Sequence, residues 1–122
     1  MSEKLYTKDH EWVEVVEKGI VLIGISKYAV EQLGDIVFIN PGEERDQLVF
    51  NESFADVESV KAVSDILSPI DGEIIEINEE LLDAPEKLNE APEETWIIKA
   101  SYDELNDELM NLDDYLVYLE SL

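Results

Sequence analysis

Apolar and acidic residues alternate over 12–16, Lys18-Gly19 turns the chain, and Ile20-Val21-Leu22-Ile23-Gly24-Ile25 follows as an apolar run. That pattern predicts a hairpin leading into a buried strand. Ser26 is placed to cap a short helix ending at Leu33, with Tyr28, Ala29, Val30 and Leu33 on its packed face and Gly34 as the left-handed terminator. Residues 35–39 read as a further strand, closed by the turn Asn40-Pro41-Gly42. Beyond it, 47–49, 53–59, 62–67 and 72–77 are short strand patterns separated by turns, the spacing of a small sandwich or flattened barrel. Residues 78–92 are acidic, contain Pro85 and Pro92 and show little apolar periodicity, so a long surface connection with one helical turn is expected. A last strand is predicted over 96–100. Ser101 with Glu104 forms a capping-box signature for a C-terminal helix, along which Leu105, Leu109, Leu112, Leu116 and Leu119 make one stripe expected to pack on the domain. Asn111 offers a second cap that would divide this segment into two helices.

Composition sharpens this picture. At 122 residues, with 45% hydrophobic and 32% charged residues, the chain is expected to fold as one domain spanning 1–122. A net charge of -23 repels nucleic-acid phosphates and anionic membrane surfaces, and favours partners with basic patches. There is no cysteine, so disulfides and thiolate metal sites are excluded. His10 is the single histidine and lacks the partner motif of a hydrolase, so a structural role is expected for it and no enzymatic activity for the chain. Trp12 and Trp96 are expected in the core. Glu43-Glu44 and Asp113-Asp114 lack the spaced ligands and central glycine of a calcium loop, so no metal is expected. The opening residues resemble neither a secretory signal nor a transit peptide, and the apolar run over 19–25 is too short to span a membrane. A cytoplasmic, monomeric protein is the expectation.

Chemistry concentrates in Glu58-Ser59-Val60-Lys61-Ala62-Val63-Ser64-Asp65, followed by Ser68-Pro69-Ile70-Asp71-Gly72. Small apolar and polar residues alternate up to Lys61 and away from it, as on two strands meeting at a tip, and Lys61 is the only cation between Arg45 and Lys87. A lysine so placed is either a surface charge balanced by Glu58 or Asp65, or an address for covalent modification. For the second role, packing of Val60, Ala62 and Val63 would fix the backbone while the amine projects into solvent.

This segment, with Gly72-Glu73-Ile74-Ile75-Glu76-Ile77-Asn78 behind it, resembles the lipoylation segment of the glycine cleavage system H-protein family. Tyr6-Thr7-Lys8-Asp9-His10-Glu11-Trp12-Val13 resembles the family's opening. Gly24-Ile25-Ser26-Lys27-Tyr28-Ala29, Gln32-Leu33-Gly34-Asp35-Ile36-Val37-Phe38 and Trp96-Ile97-Ile98-Lys99 resemble its helix, following strand and late strand. The resemblance implies a mainly β fold: a flattened antiparallel barrel or sandwich of the biotinyl/lipoyl-carrier type, with a short internal helix and C-terminal helices. Val60 and Ala62 beside the lysine follow the H-protein manner, where biotin carriers have methionines. The chain departs from the family at Ala55, at Asn51 and in the approach Ala91-Pro92-Glu93-Glu94-Thr95 to Trp96, positions where glycine is usual.

The resemblance further implies lipoate in amide linkage on Lys61, with Glu58, Ser59, Val60, Ala62 and Asp65 forming the recognised attachment hairpin. It implies a lipoate ligase or lipoyltransferase as modifying enzyme. The working partners would be a pyridoxal phosphate glycine decarboxylase, a tetrahydrofolate aminomethyltransferase and an FAD-dependent dihydrolipoyl dehydrogenase, between which the aminomethyl group of glycine is shuttled. Glu11 and Asp65 match the family's arm-docking cleft, and Asp9 stands at a variable position beside it. Two alternatives remain at this point: a relay that donates lipoate to other lipoyl domains, and an unmodified assembly module of the same fold.

Overall fold

A computed structural model describes residues 4–122. Its strands form two antiparallel sheets. The larger runs in the order β1 (Lys4–Tyr6), β2 (Glu11–Glu17), β3 (Ile20–Ile25), β9 (Ile98–Tyr102), β8 (Gly72–Ile77) and β5 (Gln47–Leu48). The smaller runs β4 (Ile36–Asn40), β6 (Ser53–Ser59), β7 (Val63–Leu67). Four helices complete the described residues: α1 (Lys27–Leu33), α2 (Glu79–Asp83), α3 (Lys87–Glu90) and α4 (Leu112–Glu120). The sheets do not close into one barrel; they make the flattened sandwich that the strand spacing predicts.

The inward positions of the two sheets meet in one apolar core. Val13, Val21, Ile23 and Ile98 from the larger sheet join Ile36, Ile39, Val57 and Ile66 from the smaller, all nearly or fully buried. Each such side chain stabilises the fold by roughly 1.5–3 kcal/mol relative to exposure. Gly24 lies opposite Trp12 across β2 and β3, and a Cβ there would stand 2.5 Å from Trp12 Cζ2. The indole therefore lies flat where a side chain is missing, which fixes Trp12 in the interior as expected.

The predicted α1 is present. Ser26 Oγ accepts the Ala29 N–H at 3.2 Å, and the helix ends at Gly34, with φ +81° and ψ -154°. That conformation is not the left-handed helical one but a region open almost only to glycine. Asn51 has φ +68°, within the left-handed range that asparagine tolerates.

Two segments differ from expectation. Residues 78–92 are not a surface connection, because α2 and α3 each insert a leucine, Leu81 and Leu88, fully into the core. A single buried apolar residue per four- or five-residue helix leaves too little periodicity to read. The capping box at Ser101 does not form, since Ser101 is a strand residue paired with both Ile20 and Glu73. The C-terminal helix begins instead at Leu112, capped by Asn111 Oδ1, which accepts the Asp114 N–H at 2.8 Å. Leu105 and Leu109 pack on the core from a loop, while Leu112 and Leu116 remain about half exposed. The residue α4 buries is Tyr115, stacked on Tyr6 with centroids 4.4 Å apart.

Candidate cofactor-attachment site

Lys61 occupies the tip of the β6–β7 hairpin, one turn beyond the last strand pair Glu58–Val63. Ser59 organises that tip. Its N–H donates to the Ala62 carbonyl at 2.8 Å, and its Oγ accepts the N–H groups of Lys61 at 3.1 Å and Ala62 at 3.2 Å. The Val60 N–H points the other way and donates to the Asp35 carbonyl at 3.0 Å, tying the tip to the turn between α1 and β4. Every amide from 59 to 62 thus has a partner. Apolar packing does not hold the bend, contrary to expectation: Val60 and Val63 are each 65% exposed and Ala62 is exposed too. Polar contacts made by a buried serine do the work.

The Lys61 side chain is exposed and lies across Gly34, where a built Cβ would approach Lys61 Cε at 3.4 Å. Among the described residues ion pairs form at Lys4–Glu14, Lys87–Glu80 and Lys99–Glu76, and none at Lys61. The charge-balanced reading of this lysine is therefore not what the structure contains. Strand register places Phe38, Glu58 and Val63 in one row across the outer face of the smaller sheet, and Asn40, Asp56 and Asp65 in the next. Of the residues expected at the hairpin, Glu58, Val60, Ala62 and Lys61 thus cluster at the tip, and Asp65 stands one row back.

Glu11 is at the seam between the sheets. It is only 3% exposed; its Oε1 accepts the Thr7 hydroxyl at 2.6 Å, and its Oε2 faces the Leu67 N–H of edge strand β7 at 3.4 Å. Burial pushes the Glu11 carboxyl up to about 7, against the lowering effect of the Thr7 hydroxyl, while nearby Asp9 raises it further. Asp65 lies two residues before Leu67 on the same strand, so Glu11 and Asp65 approach the same stretch of β7. Asp9 is exposed and borders a different recess, of about 230 Å3, with Thr7, Phe50 and Asn51. Gly34, Asp35 and Thr7 were not singled out in the sequence as site residues; the positive φ that glycine serves at 34 was the only legible signal among them.

His10 has the structural setting expected of it. Its Nδ1 contacts Tyr115 Oη at 2.8 Å, Tyr115 Oη contacts Ser26 Oγ at 2.7 Å, and burial lowers the imidazole below its ordinary value. The network joins the turn before β2, the cap of α1 and helix α4. Among the described residues no group of three His, Asp or Glu side chains is placed to hold a metal ion, and no helix is long and apolar enough to cross a membrane.

A pair of flattened antiparallel sheets that presents one lysine on a pinned hairpin is the architecture of a covalent-cofactor carrier. Residues 4–122 match the family model described as Glycine cleavage H-protein, and the chain belongs to that family. A probable glycine cleavage system H protein of Thermococcus gammatolerans is 47% identical over 120 residues, covering 96% of this chain and 90% of the relative. The glycine cleavage system H protein of Lachnoclostridium phytofermentans is 49% identical over 115 residues, covering 94% and 91%. The crystal structure of a glycine cleavage system H protein from Mycobacterium marinum superposes with a TM-score of 0.89 at 32% identity, covering 98% of each chain. Members of the family are the lipoyl carriers of the glycine cleavage system and bear lipoate covalently on a lysine.

Proposed function

We propose that Lys61 is the lysine that bears the lipoyl group, and that the chain itself catalyses no step. The observation that carries this is the combination of an exposed Lys61 side chain, a backbone whose amides from 59 to 62 are all engaged, and Gly34 beneath the side chain. Residues and group fit one another: the amine is accessible for acylation, and a Cβ at position 34 would crowd the stem of the modified side chain. When bound, lipoate supplies sulfurs that carry a one-carbon group and a pair of electrons between enzymes. The chain's contribution is to present, orient and shelter.

Glu58, in the last strand pair before the tip, and Asp65, in the next row of the same face, give partner enzymes fixed acidic landmarks on the two strands that carry the lysine. Glu11 supplies a carboxyl at the seam, able to ionise when a cationic amine approaches; Asp9, close enough for its charge to act on Glu11, adds to the negative potential. The partners in this reading are a glycine decarboxylase, an aminomethyltransferase and a dihydrolipoyl dehydrogenase, with a lipoate ligase or lipoyltransferase for attachment, all in the cytoplasm.

The test is attachment followed by exchange. The full chain, incubated with a lipoate ligase, lipoate and ATP, should gain one lipoyl increment that peptide mapping locates on Lys61. Mixed with glycine decarboxylase, the product should then support exchange of labelled bicarbonate into glycine. A modification found on another lysine, or a lipoylated chain inert in exchange, would overturn the proposal.

A further inference from the structure

A side chain from the short helix α3, a segment with no evident chemistry, holds the turn on which the hairpin tip rests. Asn89 reaches from α3 to the turn between α1 and β4 and holds it on both sides. Its Nδ2 donates to the Gly34 carbonyl at 2.9 Å, and its Oδ1 accepts the Ile36 N–H at 2.8 Å. Between those two anchored residues is Asp35, whose carbonyl takes the Val60 N–H of the hairpin tip at 3.0 Å. Gly34, held from one side by Asn89, is also the surface over which the Lys61 side chain lies. Leu88, the neighbour of Asn89 on α3, is fully buried, so the amide side chain is mounted on an element locked into the core.

We infer that Asn89 is a positioning residue for the Lys61 amine: it clamps the 34–36 turn, and the turn in turn fixes where the hairpin tip and its lysine stand. The inference rests on the reading that Lys61 is the modified lysine. Two features make Asn the side chain suited to the place. Only a carboxamide offers a donor and an acceptor on one short planar group, matching a carbonyl and an N–H two residues apart. And Gly34, in a conformation that other residues rarely adopt, is held on its helix side by its N–H on the Val30 carbonyl at 2.9 Å, while Asn89 holds its carbonyl side, the side that leads to the hairpin tip. With the amide removed, the Gly34 carbonyl and Ile36 N–H turn to water, the Asp35 carbonyl loses its fixed direction, and the Val60 N–H loses its partner. An enzyme acylating Lys61 then has to order the tip itself.

The experiment compares Asn89→Ala, Asn89→Asp and Thr95→Val in the full-length chain. Thr95 Oγ1 donates to the Lys87 carbonyl at 3.3 Å, so its variant loosens α3 without touching the clamp. Two measurements are made: hydrogen exchange of the Val60 amide, and kcat/KM for lipoylation by a lipoate ligase. Asn89→Ala is expected to speed Val60 exchange and to lower kcat/KM roughly three- to tenfold, the range for one lost hydrogen bond. Asn89→Asp keeps the acceptor for Ile36 but sets a carboxylate against the Gly34 carbonyl, and should fall in the same direction. Thr95→Val should leave both readouts near those of the parent chain. The inference is overturned if Asn89→Ala leaves Val60 exchange and lipoylation unchanged, or if Thr95→Val reproduces its effects. Should Asn89→Ala fail to fold, the Asn89→Asp comparison decides alone. If the parent chain is not modified at Lys61, the reading of the lysine fails, while Val60 exchange still reports on the clamp.

Discussion

Lys61 and Glu11 are the two ionisable residues on which the proposed site turns, and the fold treats them in opposite ways. Around Lys61 the backbone is pinned and the side chain is left exposed; at Glu11 the side chain itself is buried and bonded. A group that must travel needs a rigid base with a loose end. Glu11, in the proposed role, has a fixed position instead, and the desolvation that comes with it pushes its carboxyl up to about 7.

The sharpest way to break this contrast is at the lysine. Lys61→Arg retains the charge but removes the acylatable amine, so lipoylation should be lost completely, read as the absence of a mass increment, with thermal stability unchanged. Next is Glu11→Gln. The carboxyl is displaced from about 4.5 upward to about 7, so the folded state holds a proton that the unfolded chain has released. Stability from this group is therefore fully present below about pH 4.5 and is lost as pH rises through about 7. The neutral amide escapes that loss, and the stability gap in favour of Glu11→Gln should widen from pH 5 to pH 8, reaching at most about 3 kcal/mol by denaturant titration. A flat difference across that range would show that Glu11 is not held protonated.

Gly34→Ala tests the surface beneath the lysine. It forces a Cβ onto a backbone with φ +81°, and should destabilise by about 1–3 kcal/mol while slowing lipoylation. Ser59→Ala is the mildest change. It removes the acceptor for two tip amides that can partly turn to water, so about 1 kcal/mol of stability is expected to go, with a lipoylation defect larger than that loss alone predicts.

Much of this was legible in the sequence where the signal is local. The Ser26 cap, the Gly34 terminator and the alternating strands on either side of Lys61 each depend on residues within a few positions of one another, and each appears in the structure. What escaped is tertiary. Leu81 and Leu88 are core residues set in an acidic stretch, and nothing near them in sequence announces the sheet they insert beneath. Ser101 and Glu104 satisfy a capping pattern, but Ser101 has its backbone paired to β3 and β8 before a helix can begin. Along the last helix the leucine stripe suggested the buried face, whereas Tyr6 is a stacking partner for Tyr115, and the stacked pair is what the fold encloses. At the site, Thr7 acts through a turn contact with Glu11 four residues on, a spacing with no signature outside a helix, and Asp35 acts through its backbone carbonyl, which leaves no mark on residue type.

The engaged amides of the tip bear on survival as well as on chemistry. An exposed lysine on a loop is where a trypsin-like protease ordinarily cuts, but such an enzyme must draw the backbone out as an extended strand. With the N–H groups of 59–62 all occupied internally, the bend has to open before it can be threaded through a protease cleft. The bond after Lys61 is thus expected to resist cleavage in the folded protein while its side chain stays exposed, so that, on the proposed reading, one residue is open to acylation and slow to be digested.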